Sequence, residues 1–555
     1  MQTFQPKDRY YQEYVWIDQM GGETDVTHID PVKERLFVGD ICENGTIKYI
    51  SPYRKEHSIP GILVYSGRTF GRKGDKMLYK CVPNDRRLPC FLIAYAQKSA
   101  TFNKAKQDRF VLFRVGEWTD KHPYGVLTNT LGEVSDLEVF YSYQLHCKNI
   151  HYPIQRFTKF TSCAVRRLAA DQTPREVMNS EMQDRREMEI YSIDPEGAED
   201  FDDAIGVVNT ACGGTIVSVY IANVTAWFEL LELWEQFTGR ISTIYLPDGK
   251  RTMIPPVLSD NLCSLMEGND RYAFAMDIDV SQKGEIDGVS FRRCLIKVTK
   301  NYVYEDRGLM TSSFYGKLFS VASGLNATGV KYMESIEDSH DVVAFFMIMM
   351  NHRVGKLLAG KNRGLFRSVV SSDSEVPEVP DDIKKFVTYW GRVSGTYSTA
   401  SSQKGHSLIG GGLDAYAQTT SPIRRIVDLI NISEAQVVLG LVEPSRQQVE
   451  FVRGWMNRIE FINTFMRSVR KAQNDCALLA RCAELQGQQC TYKGFIVEVK
   501  KRDELWESMV HVPELQLTTG VMSNEEPELY QEGEYTMHSF TDEATLKRKV
   551  RLQKI

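Results

Sequence analysis

The apolar positions divide the chain into stretches of different period. Over residues 1–150, short runs such as RLFVGDI, GTIKYI, GILVYSG, CFLIAYA and RFVLFRV are rich in β-branched and aromatic residues. Gly, Pro, Asn or Asp interrupts them about every ten residues, which predicts short strands wound into small β-barrels. Residues 151–189 carry polar, helix-like text, including TPREVMNSEMQDRREM, and read as a connector. Strands return from about 190 to 300. From 300 to 480 the period becomes helical. DVVAFFMIMMNHRVGKLLAG predicts one long apolar-faced helix, and EFVRGWMNRIEFINTFMRSVRKAQNDCALLARCAEL a second. After Gly487 the runs CTYKGFIVEVKKR, SMVHVP and EYTMHSF predict a further small barrel. The fold class expected is α+β and multidomain, with barrels flanking a mixed α/β body.

Length and composition narrow the class. At 555 residues the chain has room for three or four domains of ~150 residues. Its 42% hydrophobic and 25% charged residues are those of an ordinary globular protein. No run of 18 apolar residues occurs, so no membrane span is expected. The opening MQTFQPKDRYYQEYVWID has the layout of neither a signal nor a transit peptide. Eleven cysteines, without paired or zinc-like spacing, point to reduced thiols and a cytoplasmic or nuclear setting. The net charge of −5 argues against a uniformly basic nucleic-acid binder. Local basic clusters nevertheless occur at Arg68 to Lys76, at Lys500 to Arg502 and in the tail KRKVRLQK. Each is a candidate polyanion track, and each is equally the text of a solvated surface.

The densest chemistry lies in IDPEGAEDFDDAI, where Asp194, Asp200, Asp202 and Asp203 fall within ten residues. MEIYSI alternates before it, Pro195 and Gly197 break the pattern, and AIGVV resumes, so the carboxylates are expected on a loop between two strands. Like charges this close raise one another's pKa unless a cation intervenes. The hard oxygen donors suit Mg²⁺. From the residues alone, a solvated acidic turn is the commoner reading. The spacing excludes an EF-hand loop, and glycines 410–412 lack the GKS/T ending of a phosphate loop. No GxSxG or HExxH occurs.

Beyond this run, IDPEGAEDFDDAI resembles the signature of the ribonuclease II (RNB) family of processive 3′→5′ exoribonucleases. Further segments follow in family order. IANVTAWF at 221–228 resembles a second core strand. The run IYLPDGKRTMIPPVLSDNLCSLMEGNDR at 244–271 resembles the tyrosine-bearing segment, and YAQTTSPIRRIVDLI at 416–430 the arginine motif. VPNDRRLP at 82–89 and FRVGEWTDKHPYGVLTNTLGEVSD at 113–136 resemble the cold-shock region of the eukaryotic, exosome-type members. The resemblance implies an abbreviated first cold-shock-type region at 1–50, a second cold-shock (OB-type) domain at 51–150 and the connector at 151–189. An RNB catalytic domain at 190–484 and an OB-type RNA-binding domain at 485–555 complete the expected order. No room for an endonuclease (PIN-type) domain is seen before residue 30.

The resemblance further implies roles. Asp194 and Asp203 would hold metal, Asp202 would matter most for the chemical step, and Asp200 would complete the Mg²⁺ cluster. Two divalent ions about 4 Å apart can lower the pKa of an attacking water and steady the leaving oxygen. Tyr245 would contact the 3′-terminal nucleotide, Arg424 would grip the scissile phosphate, and His406 would lie near the substrate. Taken singly, Tyr245 reads as a core tyrosine, Arg424 as an ion-paired surface arginine and His406 as a histidine in a Gly-rich loop. The implied substrate is single-stranded RNA, with RNA-decay complex subunits as partners and nucleoside 5′-monophosphates as products. The sequence departs from the family pattern at several places. Ala344 and Phe345 stand where adjacent glutamates are usual, Arg470 replaces a late acidic residue, Ile432-Ser433 replaces His-Arg, and Asn223 ends IAN in place of IAD. These losses leave a second expectation, a catalytically weak RNA-binding or scaffold subunit.

Overall fold

Barrel-forming strands occupy both ends of the chain, and the helices concentrate between them, in a computed structural model that describes residues 1–555 except 25–28, 56–57, 97–105, 370–378, 381, 384–385, 388–394, 403–411, 486–489 and 503. Two compact units emerge. One comprises Met1–His151, Leu246–Gly249 and Ser468–Ile555, the other Tyr152–Tyr245 and Lys250–Arg467.

The first unit contains three antiparallel-rich sheets. Five short strands between Gln2–Pro6 and Thr46–Lys48 close over Phe4, Tyr11, Trp16 and Leu36. Six strands from Ile59–Leu63 to Tyr124–Glu133 form the next sheet. Its first strand pairs with both Arg109–Val115 and Lys76–Pro83, which curls the sheet into a barrel. Phe91, Ile93, Val111 and Phe113 fill the interior, the alternate inward positions of their strands. The helix Leu137–Cys147 follows at once. Asp136 caps it, accepting from the amides of Glu138 (2.9 Å) and Val139 (3.3 Å). The last five strands, Thr491–Arg502 to Arg548–Lys554, form an antiparallel sheet around Tyr492, Val510, Tyr535 and Leu552.

The second unit is built on a seven-stranded mixed sheet. Its centre is antiparallel: Asp203–Asn209, Thr215–Ala222, Asp270–Val280 and Ile286–Lys297 lie side by side. Ile190–Asp194 extends it beside Asp203–Asn209 and pairs in parallel with Lys300–Val303. One face packs on the helices Ser313–Thr328 and Ser339–Ala359, through Val217, Val219, Phe274, Phe345 and Met349 among others. Gly355 lets the second of these helices meet residues 415–417, because a Cβ there would lie 3.0 Å from the Ala415 oxygen and the Ala417 nitrogen. Ser339–Ala359 is long and apolar enough to cross a bilayer, yet 61% of its most apolar window is buried in the fold. That is how a core helix behaves.

Two expectations are corrected. IANVTAWF is a strand only as far as Ala222; Asn223 then caps the helix Val224–Leu230, accepting from the Ala226 amide at 3.3 Å. The text from 450 to 485 is two helices, Arg446–Met456 and Ile459–Glu484, because the chain turns at Asn457 and Arg458. The turn aims both apolar stripes at one aromatic cluster, with Trp455 5.9 Å from Phe237 and 6.2 Å from Phe461.

Candidate functional site

All four aspartates lie where two neighbouring strands of the mixed sheet meet a connecting loop. Asp194 ends one strand, Asp203 begins the next, and Asp200 and Asp202 sit on the loop between them. Gly197 takes φ +77° at its turn, a conformation that costs glycine little. The far end of the loop is pinned: the Phe201 amide donates to Ser264 Oγ (3.0 Å), Ser264 Oγ donates to the Glu199 carbonyl (2.9 Å), and the Leu265 amide donates to the Phe201 carbonyl (2.9 Å). The LCSL part of the 244–271 run thus holds the aspartates in place.

The arginine motif approaches from 222 residues away in sequence. The amides of Arg424 and Arg425 both return to the Ser421 carbonyl, and the Ser421 amide donates to Asp428 Oδ1 at 2.9 Å. The resulting turn starts the buried helix Ile426–Val438. The Thr243 amide donates to the Arg424 carbonyl at 3.0 Å and the Ile426 amide to the Ile241 carbonyl at 3.0 Å, so the segment before Tyr245 is fastened to the arginine turn.

These restraints bring the predicted residues together in pairs. Asp202, 3% exposed, accepts from the Ile423 amide (2.9 Å) and from Arg424 Nε (3.0 Å). The Arg424 side chain stays 42% exposed. Asp200 accepts from the Tyr245 hydroxyl at 3.0 Å and from Lys250 Nζ at 3.3 Å. Lys250 also reaches Glu199 (2.9 Å) and Asp260 (3.0 Å). Asp194 and Asp203 are different: Asp194 Oδ2 is buried without a hydrogen-bond partner, and no ion pair reaches either carboxylate among the described residues. Burial raises Asp194 to about 6, against the pull of Ser192 and Arg424. Burial, and then the charges of Asp194 and Asp202, hold Asp203 well above the ordinary aspartate value. Burial also lifts Asp202 to about 7 despite Arg424.

Asp203 and Arg424 face a cavity of about 560 Å³ with Tyr304, His340, Ala344 and Arg367 on its wall. Tyr304 stacks on His340 with ring centroids 3.7 Å apart. Its phenol is shifted upward by burial and then by Asp203 and Asp194, which places it beside the carboxylates. Sequence reasoning missed Tyr304, His340 and Lys250. Lys250 was visible as the lone cation of the DGK turn, whereas the stacked pair had no motif to announce it.

The departures from the family pattern resolve differently. Ala344 lies on the cavity wall, but Phe345 is fully buried in the helical core, so only one of the two positions could present a carboxylate to the cavity. Asn223 performs the capping that an aspartate would perform. Ile432 is core, and Ser433 Oγ accepts from Gln448 Nε2 at 2.7 Å. Arg425 also lines the cavity while pairing with Asp428 at 2.8 Å. His406 lies outside the described residues.

Among the described residues no three acidic, histidine or cysteine side chains gather as metal ligands. The chain's own cations already neutralise Asp200 and Asp202. The donors still lacking a positive partner are the hard carboxylates Asp194 and Asp203. One Mg²⁺ fits that pair, since it keeps several waters and needs only one or two carboxylates.

Residues 182–312 match the RNB domain family, and residues 78–142 match the Dis3-like cold-shock domain 2 (CSD2). Over the first of these segments the chain is similar to the RNB family. Mouse exosome complex exonuclease RRP44 is 27% identical over 234 residues, which cover 42% of this chain and 24% of that protein. The chain therefore spans about a quarter of the length of that relative. Two solved structures share the fold. Mycoplasma genitalium RNase R, in complex with ribose-methylated single-stranded RNA, superposes with a TM-score of 0.67 at 15% identity, over 100% of both chains. Yeast Ssd1, a pseudonuclease, gives 0.56 at 15% identity, over 88% of this chain and 67% of that one. Solved structures of this fold thus include an RNase R and a pseudonuclease.

Proposed function

We propose that the protein is a Mg²⁺-dependent, processive 3′→5′ exoribonuclease that releases nucleoside 5′-monophosphates from single-stranded RNA. The observation that carries this reading is a surplus of negative charge: the half-buried Asp194 and Asp203 have no ion-pair partner among the described residues, and Asp194 Oδ2 has no hydrogen-bond partner, beside a half-exposed Arg424. Asp194 and Asp203 would hold the ion, which when bound supplies an acidified water and neutralises charge on the phosphate. Asp202 fixes the arginine through Nε. The Nη groups of Arg424 make no hydrogen bond to the described residues, and a guanidinium presents such donors to two phosphate oxygens at once. Tyr245, 42% exposed, offers a ring for the terminal base; stacking of this kind contributes on the order of 1–3 kcal/mol per base. The Tyr304–His340 pair offers a second aromatic surface across the cavity.

A second reading, an RNA-binding subunit with weak turnover inside an RNA-decay complex, is favoured by one observation. Ala344 adds no carboxylate to the cavity wall beside Asp203, and Lys250 and Arg424 already occupy two of the four aspartates. A 5′-labelled RNA and its deoxy counterpart, each incubated with Mg²⁺ and with EDTA, separate the two. The exonuclease reading expects metal-dependent shortening of the RNA from its 3′ end to one short product. Retention of both labelled strands intact, with binding preserved, would favour the subunit.

A further inference from the structure

The basic tail KRKVRLQK has no part in the site above. Its first three residues line a cavity of about 700 Å³ within the first unit. The walls come from the barrel at 53–87, the helix Leu137–Cys147 and the residues just after it, the 471–479 part of the last helix, and the C-terminal sheet. Four lining cations are matched internally: Arg87 by Asp85 (2.9 Å), Lys148 by Asp475 (3.2 Å), and Arg86 and Lys549 by a shared Asp542 (2.8 and 2.7 Å). Lys471, Lys547 and Arg548 also line the cavity and make no ion pair among the described residues. Seven cations thus meet three carboxylates, leaving four in excess.

Lys547 is the decisive residue. It is only 8% exposed, and among the described residues its ammonium has one polar partner, the neutral Gln144 Oε1 at 3.5 Å. Burial pushes its pKa down, Lys148 and Lys549 add to that, and Cys147 and Asp475 oppose it. A buried ammonium without a carboxylate is costly, and an anion in the cavity would relieve it. The aromatic groups on the walls are engaged elsewhere. The Tyr53 hydroxyl donates to Asp85 (2.7 Å) and its ring packs against the barrel core, Phe140 is buried, and His146 stacks on His151 at 4.0 Å. No free ring is left for a base, whereas single-stranded nucleic acid is ordinarily held by stacking as well as by charge. The volume lies in the range of small-ligand pockets.

We propose that this cavity binds a compact, multiply phosphorylated small anion of the inositol polyphosphate class, which ties the C-terminal sheet to the preceding barrel. Calorimetric titration of the full chain with inositol hexakisphosphate at about 150 mM salt, where exposed charges are screened, tests it. Inorganic phosphate and a short oligouridylate serve as comparison probes. One hexakisphosphate per chain is expected, together with a rise in melting temperature. The double variant Lys471→Ala/Arg548→Ala should weaken binding by about tenfold or more, while melting like the parent without ligand. Lys547→Met, which keeps the packing, should weaken it comparably. Absence of binding, or binding indifferent to these substitutions, would overturn the proposal. So would competition by the oligouridylate with an equal loss in the variants, which would assign the cavity to RNA.

Discussion

The acidic site of the second unit and the basic cavity of the first pose the same electrostatic problem with opposite sign. Each gathers more like charge than a protein interior tolerates, and each is partly neutralised by the chain. At the acidic site Arg424 and Lys250 meet Asp202 and Asp200, and Asp194 and Asp203 are left over. At the basic cavity Asp85, Asp475 and Asp542 meet four cations, and Lys471, Lys547 and Arg548 are left over. The difference lies in what surrounds the surplus. Exposed or stacked aromatics, Tyr245 and the Tyr304–His340 pair, flank the acidic site, and the proposed function assigns them to base contact. The basic cavity has none to spare. Unmatched charge marks a ligand site more reliably than total charge does, and the neighbouring rings separate nucleotide from small anion.

Asp202→Asn should break the acidic half of this comparison most severely. Turnover is expected to fall by roughly 10²–10³-fold or more, with RNA affinity in filter binding nearly unchanged, because phosphate and stacking contacts elsewhere supply binding. Next comes Arg424→Ala, which strands the buried Asp202. Removing one member of a buried pair costs about 3–5 kcal/mol, and the half-exposed guanidinium reduces this to a few kcal/mol at most. Chemical denaturation should reveal the loss, and Asp202→Asn in the same background should recover part of it.

Magnesium sharpens the distinction between the two pairs of aspartates. Saturating Mg²⁺ should raise the melting temperature, by the equivalent of about 2.7 kcal/mol at a hundredfold excess over Kd. Asp194→Asn or Asp203→Asn should abolish that rise, and Asp200→Asn should preserve most of it. Equal loss in all three variants would mean that Asp200 and Lys250 belong to the metal site.

The smallest effect concerns His146 on the wall of the basic cavity. Burial, and then His151, lower it from 6.5 to about 4. Because the folded value is depressed, the unfolded chain binds the extra proton first. The contribution is fully present above about 6.5 and is lost as pH falls towards 4. Denaturation midpoints measured across that window should drop, by on the order of 1–2 kcal/mol once solvent screening is allowed for. His146→Gln should flatten that part of the profile.

The parts of the fold legible in the sequence are those set by local pattern. Alternation around MEIYSI and AIGVV put the aspartates between strands, and they are there. Local pattern could not stop a strand at Ala222, since VTAWF is as apolar in a helix as in a strand. Nor could it break a helix at Asn457, where no Pro or Gly intervenes. The site was legible only through resemblance, because Arg424 meets Asp202 across 222 residues. Tyr304 and His340 join through tertiary packing that no short motif encodes. The tail cluster was visible as charge, but its burial, which gives Lys547 its meaning, was not.

The most direct test of the unpaired-carboxylate account is a time course on a 5′-labelled single-stranded RNA of about 30 nucleotides, long enough to thread a single-strand site. The wild type and Asp203→Asn would each be run with Mg²⁺ and with EDTA. The account predicts one short end product, formed without intermediates, only by the wild type and only with Mg²⁺. RNA shortened equally by Asp203→Asn, or shortened in EDTA, would contradict it.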